Sequence, residues 1–165
     1  MSSIRSLLAP RYLRHIWQHP LEVILCLLLS GVVTVSFAGV VFRYALHHPL
    51  SWSEEVLRFL LSWLAMLGAA YAFKMKAHFS LLFLLQLCGK QLEKVISTFV
   101  SVALASFLVI FVVKSVELVQ DSMTQIAPAT ELPMAVPYSA AIAGGTLMLY
   151  YVVRDAWMLL RGRTP

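Results

Sequence analysis

The sequence predicts an all-α membrane protein with four transmembrane helices, a short interfacial helix and both termini in the cytoplasm. Composition is the first reason, because 60% of the 165 residues are hydrophobic and only 13% are charged, with a mean hydropathy of +0.80. Soluble domains are about 45–50% apolar and about 25% charged. The composition therefore excludes an ordinary soluble globule. It also excludes disorder, which needs few apolar residues and a high net charge.

The lengths of the uncharged runs give the number of spans. A helix of about 20 apolar residues crosses the roughly 30 Å hydrocarbon core of a bilayer, and a charge inside that core is costly. Four uncharged runs stand out, at residues 23–42, 59–73, 95–113 and 132–153. With their flanks they predict spans at residues 21–46, 52–73, 92–121 and 133–157, within a single membrane domain that occupies residues 1–165.

Two further segments are predicted to lie along the membrane surface. The apolar run at residues 79–89 is too short to span a bilayer and has basic residues on both sides, which is typical of an interfacial helix. Residues 1–20 carry Arg11, Arg14 and Trp17, which favour a cytoplasmic or interfacial tail. The first span is long for a signal peptide and three more spans follow it, so we interpret it as a retained span.

The distribution of lysine and arginine predicts the orientation, since cytoplasmic loops of membrane proteins carry an excess of these residues. The loops at residues 47–51 and 122–131 contain none. The opposite side carries Arg5, Arg11, Arg14, Lys74, Lys76, Lys90, Lys94, Arg154, Arg161 and Arg163. Both termini are therefore expected in the cytoplasm. The same asymmetry accounts for the net charge of +5 without nucleic-acid binding.

The segment that joins spans one and two has a clear local pattern. Pro49 is predicted to end the preceding helix. Ser51, with Glu54 three residues later, has the pattern of a capping box at the start of the next helix. Glu54 and Glu55 lie in the first turn, where the helix dipole favours negative charge.

Four charges near this joint form a candidate cluster. Glu54 and Arg58 are spaced to pair on one helical face, and Arg43 is available to pair with Glu55. The cluster fits a salt-bridge network that fixes the hairpin, and it also fits a surface that faces a partner subunit. A proton or cation relay fits less well, because such a relay needs an acid near mid-membrane. The candidate partner contact comprises Arg43, Trp52, Glu54, Glu55, Arg58 and Trp63.

Charged residues also follow the apolar part of span three. Lys114, Glu117 and Asp121 recur at helical spacing, which predicts that the helix continues about two turns beyond the hydrocarbon core. Two interpretations remain open. The side chains are either solvated extensions of the helix or a periplasmic docking surface for an external partner.

Small residues are concentrated in spans two and four, where they let helix backbones approach closely. The packing they favour is either within this chain or against another protein. The residues are Ala65, Gly68, Ala69 and Ala70 in span two and Ala140, Ala141, Gly144 and Gly145 in span four.

We predict no catalytic residue, no cofactor and no metal site. The five histidines lie outside the apolar runs, whereas a bis-histidine haem needs ligands inside facing helices. Cys26 and Cys88 are too few for a disulfide framework, and no Cys/His set has zinc spacing. The sequence contains neither a glycine-rich phosphate loop nor a nucleophile spaced to a base, so no motif indicates an enzyme.

Several motifs together carry a family resemblance. They are Arg43-Tyr44, then Trp52-Ser53-Glu54-Glu55 with Arg58 and Trp63, then Gly68-Ala69-Ala70 with a basic turn ending at His78, and finally Leu132-Pro133-Met134 with Tyr138. In these the chain resembles the small membrane subunit of a tripartite ATP-independent periplasmic (TRAP) transporter over most of its length. It departs from the family at Ser80 and Leu81, where members often carry an acid, and at Ile142-Ala143-Gly144, which lacks a common second proline.

The resemblance implies a role that composition does not. In such systems a soluble periplasmic binding protein captures an organic acid, such as a C4-dicarboxylate or sialic acid. It delivers the acid to a large membrane permease subunit, which holds the substrate and sodium sites. The small subunit is implied to be a scaffold in the bacterial inner membrane, with the large permease, the binding protein and the lipid bilayer as its partners.

Two other functions remain to be weighed. An autonomous four-span proton-coupled exporter would need an acid within a span, and the nearest candidate, Glu22, lies at the cytoplasmic edge of span one. A membrane cytochrome is disfavoured by the positions of the histidines. The scaffold role is therefore the expected function.

Overall fold

The computed structural model of the chain describes residues 20–75 and 90–160. This part of the chain is helical, as predicted, and contains no strand beyond a single bridge between Ile126 and Pro133. The helices are α1 (Pro20–Tyr44), α2 (Ser53–Lys74), α3 (Lys90–Asp121) and α4 (Ala135–Leu160). The predicted interfacial helix at residues 79–89 lies outside the described residues.

Each of the four helices is long and apolar enough to cross a membrane, which confirms the predicted number of spans. In α3 the apolar segment is Thr98–Asp121, and the whole helix has 32 residues. At about 1.5 Å per residue this is about 48 Å, so α3 exceeds the roughly 30 Å hydrocarbon core. α1 ends at Tyr44, two residues before the end of the span predicted at 21–46. α4 begins at Ala135, two residues after the start of the span predicted at 133–157.

The helices do not surround a common axis. α2 packs against both α1 and α4, and α4 packs against both α2 and α3. Among the described residues the backbone of α1 approaches neither α3 nor α4, and the backbone of α2 does not approach α3. The order of neighbours in space is therefore α1, α2, α4, α3.

The core is correspondingly small. It is formed by Ala70 of α2, Leu108 of α3 and Met148 of α4, with partly buried neighbours such as Met66 and Leu104. No residue of α1 is buried. Large apolar side chains are exposed along α1 and α3, and exposed apolar area on this scale marks a surface covered by lipid or by protein.

The close approach of α4 to both α2 and α3 depends on glycine. A Cβ atom added at Gly144 would stand 2.7 Å from the backbone oxygen of Met66, and one at Gly145 would stand 2.9 Å from a methyl group of Val112. The small residues of span four therefore pack within this chain. Gly68 of α2 differs, because a Cβ added there would have no neighbour within 4 Å.

Candidate functional site

The joint between α1 and α2 is a tight turn with a left-handed residue. α1 ends with the amide of His48 donating to the carbonyl of Phe42 at 3.1 Å, while His47 adopts φ 54°. This is the arrangement of a helix C-cap, in which a residue in the left-handed region lets the chain turn back on the last carbonyls. The turn places the end of α1 beside the start of α2.

The predicted capping box at Ser51 and Glu54 is wrong. α2 is capped by Trp52, whose backbone is already helical and whose side chain makes no capping hydrogen bond. The hydroxyl of Ser53 instead donates to the carbonyl of Leu50 at 2.7 Å. Because the Glu54 carboxylate does not fold back onto a cap, it is available to another partner.

Glu54 forms an ion pair with Arg43 at the end of α1. The two predicted pairs, Glu54 with Arg58 and Arg43 with Glu55, are therefore both wrong. Consecutive residues on a helix point about 100° apart, so Glu54 and Glu55 face different neighbours. The observed pair is largely solvent-exposed, with side-chain exposures of 52% for Arg43 and 63% for Glu54.

Glu55 is held by the loop that joins α3 and α4. Its carboxylate accepts hydrogen bonds from the amide of Ala129 at 3.1 Å, from the amide of Thr130 at 2.9 Å and from the hydroxyl of Thr130 at 2.9 Å. The residue is only 8% exposed. Both carboxylate oxygens are used, so Glu55 is a tether between α2 and the loop rather than a free acid.

The loop itself is compact. The amide of Ala127 donates to the carbonyl of Leu132 at 2.9 Å, and the amide of Met134 donates to the carbonyl of Gln125 at 2.8 Å. Ala127 is fully buried, and Glu131 adopts the left-handed φ of 56°. This internal bonding presents the amides at residues 129 and 130 to Glu55. Sequence reasoning missed the contact, since no local motif links a helix start to a loop more than seventy residues away.

Of the remaining residues of the candidate partner contact, one bonds to another helix of this chain and two are exposed at the surface. The indole nitrogen of Trp63 donates to the carbonyl of Val136 at 3.3 Å, so this side chain helps to join α2 to α4. Trp52 is exposed at 41%. Arg58 is exposed. Its guanidinium forms no hydrogen bond or ion pair with any described residue, but its positive charge interacts electrostatically with the carboxylate of Glu55.

On α3, Lys114 and Glu117 pair with each other, with Nζ to Oε2 at 2.6 Å. Both are exposed, as is Asp121 at the end of the helix. An exposed ion pair of this kind contributes about 0–1 kcal/mol to stability. The three side chains therefore form an exposed polar strip beside the α3–α4 loop, and their role as a docking surface stays a prediction.

The opposite end of the helices carries a second polar group that sequence reasoning did not assemble. The hydroxyl of Tyr71 donates to Glu22 at 3.3 Å, and Lys74 Nζ lies 3.8 Å from the same carboxylate. Asp155 of α4 is buried at 4% exposure, with Arg154 at 3.4 Å. Glu22 thus ties α1 to α2 at this end, as Arg43 and Glu54 do at the other.

Within residues 20–75 and 90–160, no group of three or more histidine, cysteine or acidic side chains could hold a metal ion. Five acids of this region lie near helix ends and contact a neighbouring group: Glu22, Glu54, Glu55, Glu117 and Asp155.

Comparison with known proteins decides the family. The family model of the DctQ component of tripartite ATP-independent periplasmic transporters matches residues 32–162, which is most of the chain. The chain belongs to this family. The resemblance predicted from the sequence motifs is thereby confirmed, and the four long apolar helices are those of a multi-pass membrane protein.

Individual relatives agree with the family. A Haemophilus influenzae protein named for the small permease of a TRAP transporter is 27% identical over 138 residues, covering 84% of this chain and 86% of its own length. The C4-dicarboxylate TRAP transporter small permease protein DctQ of Vibrio cholerae is 18% identical over 166 residues, covering 86% of this chain and 72% of its own length.

A third relative is of a different size. The sialic acid TRAP transporter permease protein SiaT of Haemophilus influenzae is 28% identical over 85 residues, which are 52% of this chain but only 14% of the relative. A segment similar to half of this chain therefore occurs inside a much longer permease protein.

Proposed function

We propose that this chain is the small scaffold subunit of a sodium-coupled secondary transporter that imports an organic acid delivered by a periplasmic binding protein. Its main partner is the large membrane permease subunit of the same system. The family match over residues 32–162 carries the proposal. The match to a segment of the longer SiaT permease supports it, because there a similar segment belongs to the same polypeptide as the rest of the permease.

The positions of the acidic residues support a chain without a substrate or cation site of its own. A residue that binds a coupling ion or a proton within a membrane lies inside a span. Among the described residues the acids lie near the helix ends, and Glu22, Glu54 and Glu55 are each bonded to a neighbouring element. This also disfavours the exporter, whose nearest candidate acid, Glu22, is engaged by Tyr71 and Lys74.

The packing of the helices supports the role of a scaffold within a larger assembly. α1 buries no residue, and α1 and α3 each contact one other helix among the described elements. Four helices in this order leave broad apolar faces for lipid and for a large partner. We infer that the large permease covers part of them.

The names of two relatives support the proposed substrate class. One is named for C4-dicarboxylates and another for sialic acid, and both substrates carry carboxylate groups. An organic acid is therefore the proposed cargo. Sodium coupling is proposed from the resemblance to TRAP systems, and the sodium sites are assigned to the large permease rather than to this chain.

The strip formed by Lys114, Glu117 and Asp121 is proposed as a contact for the binding protein. It lies at the end of α3 beside the α3–α4 loop, both of which face the periplasm in the proposed orientation. Its charges are exposed, and exposed charges steer association more than they hold a complex together.

The proposed orientation places both termini in the cytoplasm and makes a direct prediction. Alkaline phosphatase fused within residues 122–126 should be active, because the enzyme folds only in the periplasm. The same reporter fused after Arg163 should be inactive, and a cytoplasmic fluorescent reporter there should be bright. The basis is the asymmetry of lysine and arginine. The reverse pattern at both sites would overturn the orientation.

Co-purification tests the proposed partnership. The chain is tagged at its C-terminus, expressed with the large permease of its own system and extracted in mild detergent. We expect the large permease to elute with the tagged chain in a fixed ratio. A tagged chain that elutes alone, while an untagged large permease remains intact in the same membranes, would refute the partnership.

A further inference from the structure

We propose that the α3–α4 loop is the main docking site for the loaded periplasmic binding protein, whose docking surface carries lysine or arginine around an apolar contact. The site, called the loop patch below, consists of Met123, Ile126 and Leu132 with the carboxylates of Asp121 and Glu131. The inference rests on the proposed function, since it names the chemistry by which the proposed partner recognises this chain.

The apolar part of the loop patch is exposed where lipid tails do not reach. Met123 is 60% exposed, Ile126 66% and Leu132 44%, and all three lie between α3 and α4 rather than within a helix. Irregular backbone exposed to lipid does not occur within the hydrocarbon core, because its polar groups would lack partners. These side chains therefore face water, and apolar side chains clustered in water mark a contact with protein.

Unpaired negative charge borders these apolar side chains. The described cations at this end of the helices each interact with one acid, in the pairs Arg43–Glu54, Arg58–Glu55 and Lys114–Glu117. Asp121 and Glu131 are left over. Both are exposed, and neither carboxylate forms an ion pair or a hydrogen bond with a described residue. The loop patch is therefore negative, although the whole chain has a net charge of +5.

The negative charge indicates what kind of surface covers the loop patch. Phospholipid headgroups carry phosphate, which unpaired carboxylates repel. A protein surface that carries lysine or arginine is attracted instead, and such charge complementarity excludes partners of the wrong sign. Asp121 and Glu131 thus favour a basic protein surface over the lipid headgroups.

The balance of apolar and charged groups favours the binding protein over the large permease. Permanent subunit interfaces are large and mostly apolar, whereas transient ones are smaller and combine an apolar centre with a polar rim. The loop patch has few apolar side chains, with exposed acids on either side of them in the sequence. A protein that delivers an organic acid must dock and leave in every transport cycle. Charge at the rim serves this, because it speeds association more than it slows release.

The loop patch is already formed in the chain alone. Glu55 holds the inner side of the loop through the amides of Ala129 and Thr130, and Ala127 is fully buried. The backbone of Ile126 bridges that of Pro133, which fixes the outer side as well. A surface that is ordered before binding avoids the entropic cost of ordering a loop. Glu55 is thus a positioning residue for the loop patch.

Site-specific photo-crosslinking tests the proposal. A photoreactive amino acid replaces Ile126 of the loop patch or, as the matched control, Phe107, which is 62% exposed and lies about 21 Å along α3 from Asp121. The chain is assembled with its large permease in nanodiscs and irradiated with the loaded binding protein. We expect a crosslink to the binding protein from position 126 and none from position 107. Products from position 126 that contain only lipid or the large permease would overturn the proposal.

Substitutions in the same nanodiscs provide the second measurement. Asp121→Asn with Glu131→Asn should slow association of the binding protein about tenfold at low salt and weaken its salt dependence. Asparagine suits position 131 because it adopts the left-handed φ found there more readily than glutamate does. Ile126→Ser should instead speed dissociation about tenfold. Glu22→Gln, the control, makes a similar change of charge at the opposite end of the helices and should alter neither rate. Melting temperatures identify any misfolded variant.

The outcomes separate the loop patch from the function on which it rests. If the wild-type complex binds the loaded binding protein and the folded variants bind it equally well, the loop patch is not the docking site but the proposed function stands. If the wild-type complex of both membrane subunits does not bind it, the proposed function fails and the inference fails with it.

Discussion

Replacing Gly144 by alanine is expected to weaken the contact between α2 and α4 and to destabilise the chain by about 1–3 kcal/mol, the usual cost of overpacking. The new Cβ would stand 2.7 Å from the backbone oxygen of Met66 and 2.8 Å from its Cβ. Neither atom can move without a shift of α2 itself. The melting temperature of the purified chain in detergent measures the effect.

Gly68 of α2 provides the matched control, at a position outside the contact with α4. Gly68→Ala adds the same methyl group to α2, where it meets nothing within 4 Å. Glycine inside a helix is less favourable than alanine by about 1 kcal/mol, so this variant should melt at the same temperature as the wild type or higher. Equal losses from both substitutions would show that close approach at Gly144 does not stabilise the chain.

Replacing Glu55 by glutamine is expected to have the other large effect. The carboxylate accepts from two backbone amides and one hydroxyl, and a glutamine side chain would turn an N–H donor toward these donors. These bonds are partly buried, and a donor that loses its acceptor in such a place keeps part of the cost of its desolvation. The variant should lower the melting temperature by at least about 5 °C and should release the α3–α4 loop to proteolysis.

The same substitution at the neighbouring Glu54 is the matched control for Glu55→Gln. Glu54→Gln removes an exposed ion pair with Arg43, and exposed pairs contribute about 0–1 kcal/mol. Its melting temperature and its loop digestion should therefore stay close to those of the wild type. If Glu54→Gln lowered the melting temperature more than Glu55→Gln, Glu55 would not be the residue that tethers α2 to the α3–α4 loop.

The spans could be predicted from the sequence because the bilayer imposes one strong condition on each of them. A run without charges and of sufficient length must be helical to satisfy its backbone, whatever it packs against. The order of the helices in space has no comparable signal. That α4 lies between α2 and α3 depends on surfaces such as Gly144 and Gly145, which are recognisable as small but not as facing Met66 or Val112.

The candidate site was predictable in its members but not in its bonds. The acids and arginines around the α1–α2 joint are visible at once in the sequence, and their spacing on one helix suggested that Glu54 pairs with Arg58. The observed bonds depend on which neighbouring element each side chain faces. Glu54 pairs with Arg43 of α1, and Glu55 accepts from the amides of Ala129 and Thr130. Those amides are brought within hydrogen-bonding distance of Glu55 only once the α3–α4 loop has folded.

Uptake into liposomes tests most directly whether this chain is an obligatory scaffold that carries no solute itself. Liposomes with an inward sodium gradient receive the large permease with this chain, the large permease alone, or this chain alone. Each preparation is supplied with the cognate binding protein loaded with its radiolabelled organic acid. We expect sodium-dependent uptake only when both membrane subunits are present. Uptake by this chain alone would show that it carries solute itself, and equal uptake by the large permease without it would show that the scaffold is not required.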